Sequence, residues 1–262
     1  MRQSISFGQY YSGASFIYEL DPRVKILLTF AYAIVVYMTN SIFGLLLTAS
    51  YVIALSIISH IPIRVILGSL KFVIPIMIIT ALLKLFSTEG EILYSFWKFR
   101  IIKEGISEAL YFTIRLSLLI IGVSFLTFTT SSLVLADAIE KLMSPLKKIK
   151  VPVHDISMMM IIAIRFIPEL MEETERIIDA QKSRGSDFDS GNLFKRIMAF
   201  FPVLFPLLIS SLKHADELAL AMECRGYNHG ENYTSLHEFH IRRKDIISLI
   251  TGSILILLIL II

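Results

Sequence analysis

The sequence is short of charge and of cysteine. Charged residues make up 18% of its 262 residues, whereas hydrophobic types make up 55%. Soluble domains carry charge at about a quarter of their positions, so this apolar surplus must face something other than water. The formal net charge is only +3, which argues against a protein that binds nucleic acid by neutralising phosphates. The single cysteine, Cys224, excludes a disulfide framework and a multi-cysteine metal site.

Motifs of catalysis are also missing. No Gly-x-x-x-x-Gly-Lys-Ser/Thr phosphate loop occurs, so the chain is not expected to hydrolyse ATP and is not predicted to be an enzyme. The apolar stretches hold few ionisable groups that could converge, which argues against an intramembrane enzyme. His237 and His240 could share a face as metal ligands, but a solvated linker is the simpler interpretation. Residues 1–19 contain no apolar stretch long enough for a cleavable signal, so the later spans are expected to direct insertion.

Long apolar stretches are what the chain does have. Five of them approach the ~20 residues needed to cross ~30 Å of hydrocarbon, which predicts an all-α polytopic membrane protein. Four lie in an N-terminal membrane domain, 1–130, and the fifth is a C-terminal transmembrane helix, 246–262. The four N-terminal stretches are 24–38, 42–58, 72–86 and 106–130.

The intervening segment, 131–245, holds most of the charged residues and is expected to work in or beside water. Short-loop cations place the N-terminus, a loop at 61–71 and this segment in the cytoplasm. The loop at 84–103 would then be outside, although its Lys and Arg residues run against that rule.

The charged segment repeats one design twice. After an amphipathic helix at 133–146, suited to the membrane surface, Pro152 opens a long helix and a second long helix starts at Leu193. Each begins apolar, turns amphipathic and ends in a small residue, an arginine and a glycine, the sign of a helix C-terminus. These ends are Ser183-Arg184-Gly185 and Cys224-Arg225-Gly226.

Four short motifs in the sequence resemble those of one family. They are Leu20-Asp21-Pro22-Arg23-Val24-Lys25, Arg165-Phe166-Ile167-Pro168, Gln181-Lys182-Ser183-Arg184-Gly185 and Ala221-Met222-Glu223-Cys224-Arg225-Gly226-Tyr227. Together they are similar to the transmembrane coupling subunit, or T component, of energy-coupling factor transporters, a family that includes the membrane subunit of cobalt and nickel uptake systems.

The resemblance implies a set of partners. Two ABC-type ATPases, identical or different, would bind ATP and Mg²⁺, so no cofactor is expected in this chain. A separate membrane protein, the S component, would capture a vitamin or a transition-metal ion. The complex would lie in the cell membrane of a bacterium or archaeon, with the coupling helices in the cytoplasm. Each X-Arg-X end would dock into one ATPase, which assigns that role here to Arg184 and Arg225.

Elementary chemistry supports this role for the two arginines. A guanidinium at the end of a rigid helix can form bidentate hydrogen bonds with acidic groups of a partner, and it does not lose its charge. A single arginine before a glycine is most often only part of a helix cap, but two such ends on similar helices favour docking. Further candidates for subunit contact are Arg165, Met158, Met159, Met160, Ala215 and Ala219.

The alternative function is a stand-alone channel or secondary transporter. Such a protein is expected to show broken or polar spans with a solute site near the midplane. The large charged insertion at 131–245 favours the coupling subunit instead.

Overall fold

The structure is a computed structural model that describes residues 10–11, 13, 15–39, 41–87, 92–96, 99–186, 188, 193–227, 239 and 241–261. Within these residues the elements, in chain order, are α1 (Pro22–Met38), α2 (Ile42–Ser59), α3 (Ile63–Lys71), α4 (Ile74–Ser87), β1 (Ile92–Phe96), β2 (Phe99–Ile102), α5 (Lys103–Thr129), α6 (Ser132–Met143), a 3₁₀ segment (Ser144–Ile149), α7 (Val153–Ser183), α8 (Leu193–Cys224) and α9 (Arg243–Ile261).

Two helices are long and apolar enough to cross a membrane, Ile42–Ser59 and Gly105–Thr129. The pair Ile63–Lys71 and Ile74–Leu85 adds a third if it forms one span bent by 61°. The prediction of an all-α polytopic membrane protein is therefore confirmed. Helices α1 and α9 form where crossings were predicted, with 17 and 19 residues, and their crossing stays a prediction.

The segment between the second and fourth predicted spans differs from the prediction at two places. The expected loop at 61–71 is largely helix α3, because Pro62 occupies the N-cap position and leaves the following residues free to form a helical turn. The expected outer loop contains an antiparallel hairpin, in which Phe96 pairs with Phe99 and Ser95 with Arg100. Both elements are nine residues long or shorter, whereas a periodic pattern is assigned over a window of about 11–18 residues.

The chain divides into two compact units, Met1–Pro145 with Phe239–Ile262, and Leu146–Glu238. The second unit begins later than the predicted coupling segment, because α6 packs on α1 and therefore belongs to the first unit. Residues 239–245 also belong to the first unit, where Asp245 is buried.

Close helix contact in the first unit depends on small residues. Tyr32 of α1 lies so near Gly122 of α5 that a Cβ at Gly122 would be 2.1 Å from the Tyr32 Cε1. The Tyr32 hydroxyl donates a hydrogen bond of 2.8 Å to the Leu118 carbonyl of the same helix α5. Glycine is the usual residue where membrane helices approach this closely.

Replacing Gly122 with alanine is expected to destabilise the first unit by about 1–3 kcal/mol, because Tyr32 must leave its place and its hydrogen bond. Thermal unfolding in detergent, followed by circular dichroism, measures the change. The matched control is Gly68→Ala, since no atom lies within 4 Å of a Cβ built at that helical glycine. Equal unfolding temperatures for the two variants would contradict this packing.

A buried polar network joins the beginnings of α1 and α9. The backbone N–H of Asp21 donates to Oδ1 of Asp245 at 2.7 Å, and the N–H of Arg242 donates to Oδ2 at 2.7 Å. Burial alone would raise the pKa of Asp21, but hydrogen bonds from the Arg23 side chain and backbone hold that pKa below its usual value. The Arg23 Nη2 also donates to the Phe239 carbonyl at 3.2 Å.

Lys25 extends this network to the end of α5. Its Nζ donates to the carbonyls of Thr129 at 3.1 Å and Tyr18 at 3.3 Å, and to Oγ1 of Thr130 at 3.2 Å. An ammonium suits this position because the last carbonyls of a helix carry partial negative charge. The phrase from Asp21 to Lys25 thus holds three helices together inside the first unit.

Candidate docking site

Helices α7 and α8 form an antiparallel pair in the second unit. At one end the His154 ring lies 6.5 Å from the Tyr227 ring, so the start of α7 meets the end of α8. Near the other end, Phe188 lies 5.5 Å from Phe200, so the chain after α7 meets the early part of α8. The predicted starts of both helices, after Pro152 and at Leu193, are confirmed.

The first helix ends in the predicted glycine cap. The N–H of Gly185 donates to the Lys182 carbonyl at 2.9 Å, and the N–H of Ser186 donates to the Gln181 carbonyl at 3.0 Å. These two bonds are those of a Schellman motif, which needs a left-handed residue after the helix. Gly185 supplies it with φ of 89°.

The second helix ends in the same way. The N–H of Gly226 donates to the Glu223 carbonyl at 2.9 Å, the N–H of Tyr227 donates to the Met222 carbonyl at 3.0 Å, and Gly226 has φ of 75°. Arg184 and Arg225 therefore hold the same C-cap position in two equal motifs. Both arginines are exposed.

The small residues before the arginines share this exposure. Ser183 and Cys224 both lie at the surface, and the Ser183 Oγ donates back to the Asp179 carbonyl at 3.0 Å. Each cap thus presents one arginine beside one short side chain, which leaves room for a partner surface to reach the guanidinium.

The antiparallel pairing separates the two caps. Arg184 lies near the end of the pair where Phe188 contacts Phe200, and Arg225 lies near the opposite end, where Tyr227 contacts His154. At about 1.5 Å of rise per residue, Arg184 and Arg225 are roughly 40 Å apart. A single small ligand cannot bridge that distance, whereas two protein subunits can each bind one cap.

An apolar groove of about 430 Å³ lies along the contact between α7 and α8. Both small residues predicted for subunit contact, Ala215 and Ala219, line it. The one ionisable side chain on its wall is His214, and within the described residues its buried Nδ1 makes no hydrogen bond. The other walls come from Ile162, Phe166, Leu170, Ser211, Leu218 and Met222.

The remaining predicted contact residues lie elsewhere on α7. Arg165 is exposed and does not line the groove, although its neighbour Phe166 does. Met159 is 60% exposed, while Met158 and Met160 are half-buried. All three methionines lie in the first two turns of α7, one to two turns after His154, the residue whose ring meets Tyr227 beyond the second cap.

A stripe of large apolar side chains is exposed along the first half of α8. The helix continues through Pro202 and Pro206, so these prolines do not divide it. The stripe repeats at helical spacing. Its hydrophobicity is visible in the sequence, but only the structure shows that no other described part of this chain packs over it. Its members are Phe194, Ile197, Phe201, Leu204, Phe205 and Leu208.

Charged residues of the first unit have a packing role. Glu108 lies 3.5 Å from Lys84, and the Arg115 guanidinium stacks 5.0 Å from the Tyr111 ring centre. The Tyr111 hydroxyl donates to the Thr39 carbonyl at 3.0 Å. These contacts join α5 to α4 and to the turn after α1.

Within the part of the chain that the structure describes, no three His, Cys, Asp or Glu side chains are grouped as a metal site requires. His237 and His240, the weak metal candidates of the sequence, lie outside the described residues.

Comparisons with known proteins show which family this chain is similar to. A family model described as cobalt transport protein matches residues 13–236. A Ruminiclostridium cellulolyticum protein named energy-coupling factor transporter transmembrane protein is 45% identical over 96% of this chain and 94% of its own length. Proteins of the same name from Lactococcus lactis and Bacillus subtilis are 40% and 38% identical, over 99% and 95% of this chain and 97% and 96% of their own lengths.

Proposed function

Because this chain belongs to the family of energy-coupling factor transporter transmembrane proteins, we propose that it links ATP hydrolysis in two partner ATPases to solute uptake. The solute is a vitamin or a transition-metal ion held by a separate S component. ATP and Mg²⁺ bind to the ATPases, and this chain carries no cofactor. The observation that carries the proposal is the pair of equal, exposed arginine caps at opposite ends of α7 and α8.

The distance between the caps suits one ATPase at each. A separation of roughly 40 Å leaves room for a separate compact domain at each cap. A nucleotide-driven change in the spacing of the two ATPases then pulls on both ends of one helix pair.

The groove and the stripe on α8 provide the surface for the S component. Ala215 and Ala219 allow a helix of another membrane protein to approach the groove closely, as small residues do in lipid. The exposed stripe from Phe194 to Leu208 offers apolar contact area to the same partner and to lipid. An exposed apolar surface of this extent is typical of an interaction site.

The complex lies in the cell membrane, with both caps in the cytoplasm. The positively charged residues Arg23, Arg64 and Lys71 support this orientation for the first unit. The ATPases need cytoplasmic ATP, so the caps must lie on the same side. The direct test of the function is copurification of two ATPase subunits with this chain.

A thiol-labelling experiment tests the orientation. Cys224 is exposed, and we expect a membrane-impermeant maleimide to leave it unlabelled in intact cells and to label it in inverted vesicles. The chain is expressed without its partners, so that no ATPase covers the cap. Ser183→Cys in a Cys224→Ser background reports the other cap and is expected to behave identically. Labelling of either position in intact cells would contradict the proposal.

A further inference from the structure

An aromatic side chain follows each arginine cap and packs on the opposite helix. Tyr227, two residues after Arg225, lies 6.5 Å from the His154 ring at the start of α7. Phe188, four residues after Arg184, lies 5.5 Å from the Phe200 ring of α8. The two contacts are formed by different residue types at different spacings, yet they connect the same kind of positions. We call them the aromatic staples.

Both staples are attached to places where a helix ordinarily frays. The last turn of a helix has carbonyls without intrahelical partners, and its backbone is held only by the cap. Gly185 and Gly226 have no atom within 4 Å of a built Cβ, so nothing packs against the caps at these glycines. The staples supply a tertiary contact just beyond each glycine, and Phe188 is buried.

Burial differs between the arginines and their staples in a way that separates two tasks. Arg184 and Arg225 are exposed and available to partners, whereas Phe188 is buried and Tyr227 half-buried against this chain. A side chain that packs against its own chain offers less surface to a partner than an exposed one does. It can determine where the neighbouring arginine is held, because few backbone bonds separate the two.

We propose that Phe188 and Tyr227 are positioning residues, each of which fixes one arginine cap to the opposite helix so that the pair transmits force as one body. This inference rests on the proposed function. A pull on Arg225 passes through Tyr227 to the start of α7, and a pull on Arg184 passes through Phe188 to α8. Without the staples, the last helical turn at each cap would fray, and the movement of the ATPases would not be transmitted to the opposite helix.

The first test measures the distance between the caps in the full chain in lipid nanodiscs. Spin labels on native Cys224 and on Ser183→Cys report it by double electron–electron resonance. A narrow distribution is expected, and Phe188→Ala or Tyr227→Ala should broaden it. Phe188→Leu and Tyr227→Phe should restore most of the order, because both keep an apolar contact. Leu220→Ala is the control, since Leu220 is exposed on α8 and is in neither staple.

The second test uses unlabelled variants in the transporter assembled with both ATPases and the S component. Each alanine variant is expected to keep both ATPases bound and to lower solute uptake per ATP hydrolysed by about threefold to tenfold, the size of an aromatic contact. His154→Ala and Phe200→Ala remove the staples from the other side and should have the same effect.

The outcomes separate this inference from the proposed function. Unchanged distance distributions in Phe188→Ala and Tyr227→Ala, together with unchanged uptake per ATP in all four alanine variants, overturn the role of the staples, even when ATPases bind. If no ATPase binds the unmodified chain, the proposed function fails instead. A variant that loses ATPase binding together with its fold is replaced by its partner variant across the same staple, which decides the question.

Discussion

Replacing Arg184 and Arg225 together with alanine is expected to abolish ATPase capture while the chain still inserts in the membrane. Both side chains are exposed in this chain, so their loss is expected to leave the helix pair folded. In a partner groove each guanidinium would be desolvated, and its removal would leave a buried counter-charge at a cost of roughly 2–5 kcal/mol. Two such losses raise the dissociation constant of the complex far above working concentrations. Copurification of tagged ATPases and solute uptake both measure the effect.

Neighbouring charges supply the controls for this double variant. Lys182→Ala and Glu223→Gln change exposed charges in the last turns of the same two helices and should leave ATPase binding nearly unchanged. Arginine-to-lysine replacements at both caps should fall between wild type and the alanine variant, because lysine keeps the charge but lacks the two-pronged geometry. Full uptake by the double alanine variant would show that the caps are not docking sites.

The two caps could be predicted because their signals are local. The glycine after the last apolar turn and the cation before it lie within a few residues of each other. The backbone hydrogen bonds of each cap join residues no more than five positions apart. The same is true of Pro152 at the start of α7. The stripe on α8 was visible as hydrophobicity, but whether another part of this chain covers it depends on tertiary packing.

Contacts between distant residues were not predictable in this way. The bond from Asp21 to Asp245 joins positions 224 residues apart, and nothing near either aspartate indicates the other. Tyr227 and Phe188 look like ordinary aromatics of polar loops, and their role appears only once α7 and α8 are seen to be antiparallel. An acidic residue at the start of a nearly pure Ile and Leu helix was the one available signal for Asp245.

Asp245→Ala is expected to have the largest effect on stability of any single change in the first unit. The Asp245 side chain is 1% exposed, and its two oxygens accept backbone N–H groups from Asp21 and Arg242. Alanine would leave both donors without these acceptors, at about 1–3 kcal/mol each. Arg23 and Lys25, which both interact electrostatically with Asp245, would lose a nearby anion as well. A loss of about 2–6 kcal/mol is therefore expected in detergent unfolding.

An exposed ion pair between the same parts of the chain provides the comparison. Glu19 pairs with Lys244, one residue before Asp245, and both side chains are about half exposed. Exposed pairs of this kind contribute little, so Glu19→Gln should leave the unfolding midpoint almost unchanged. Asp245→Asn keeps one acceptor oxygen and should lose part of the stability lost by alanine. If Asp245→Ala and Glu19→Gln unfold alike, the N-terminus of α9 is held to α1 by apolar packing, and the buried carboxylate is dispensable.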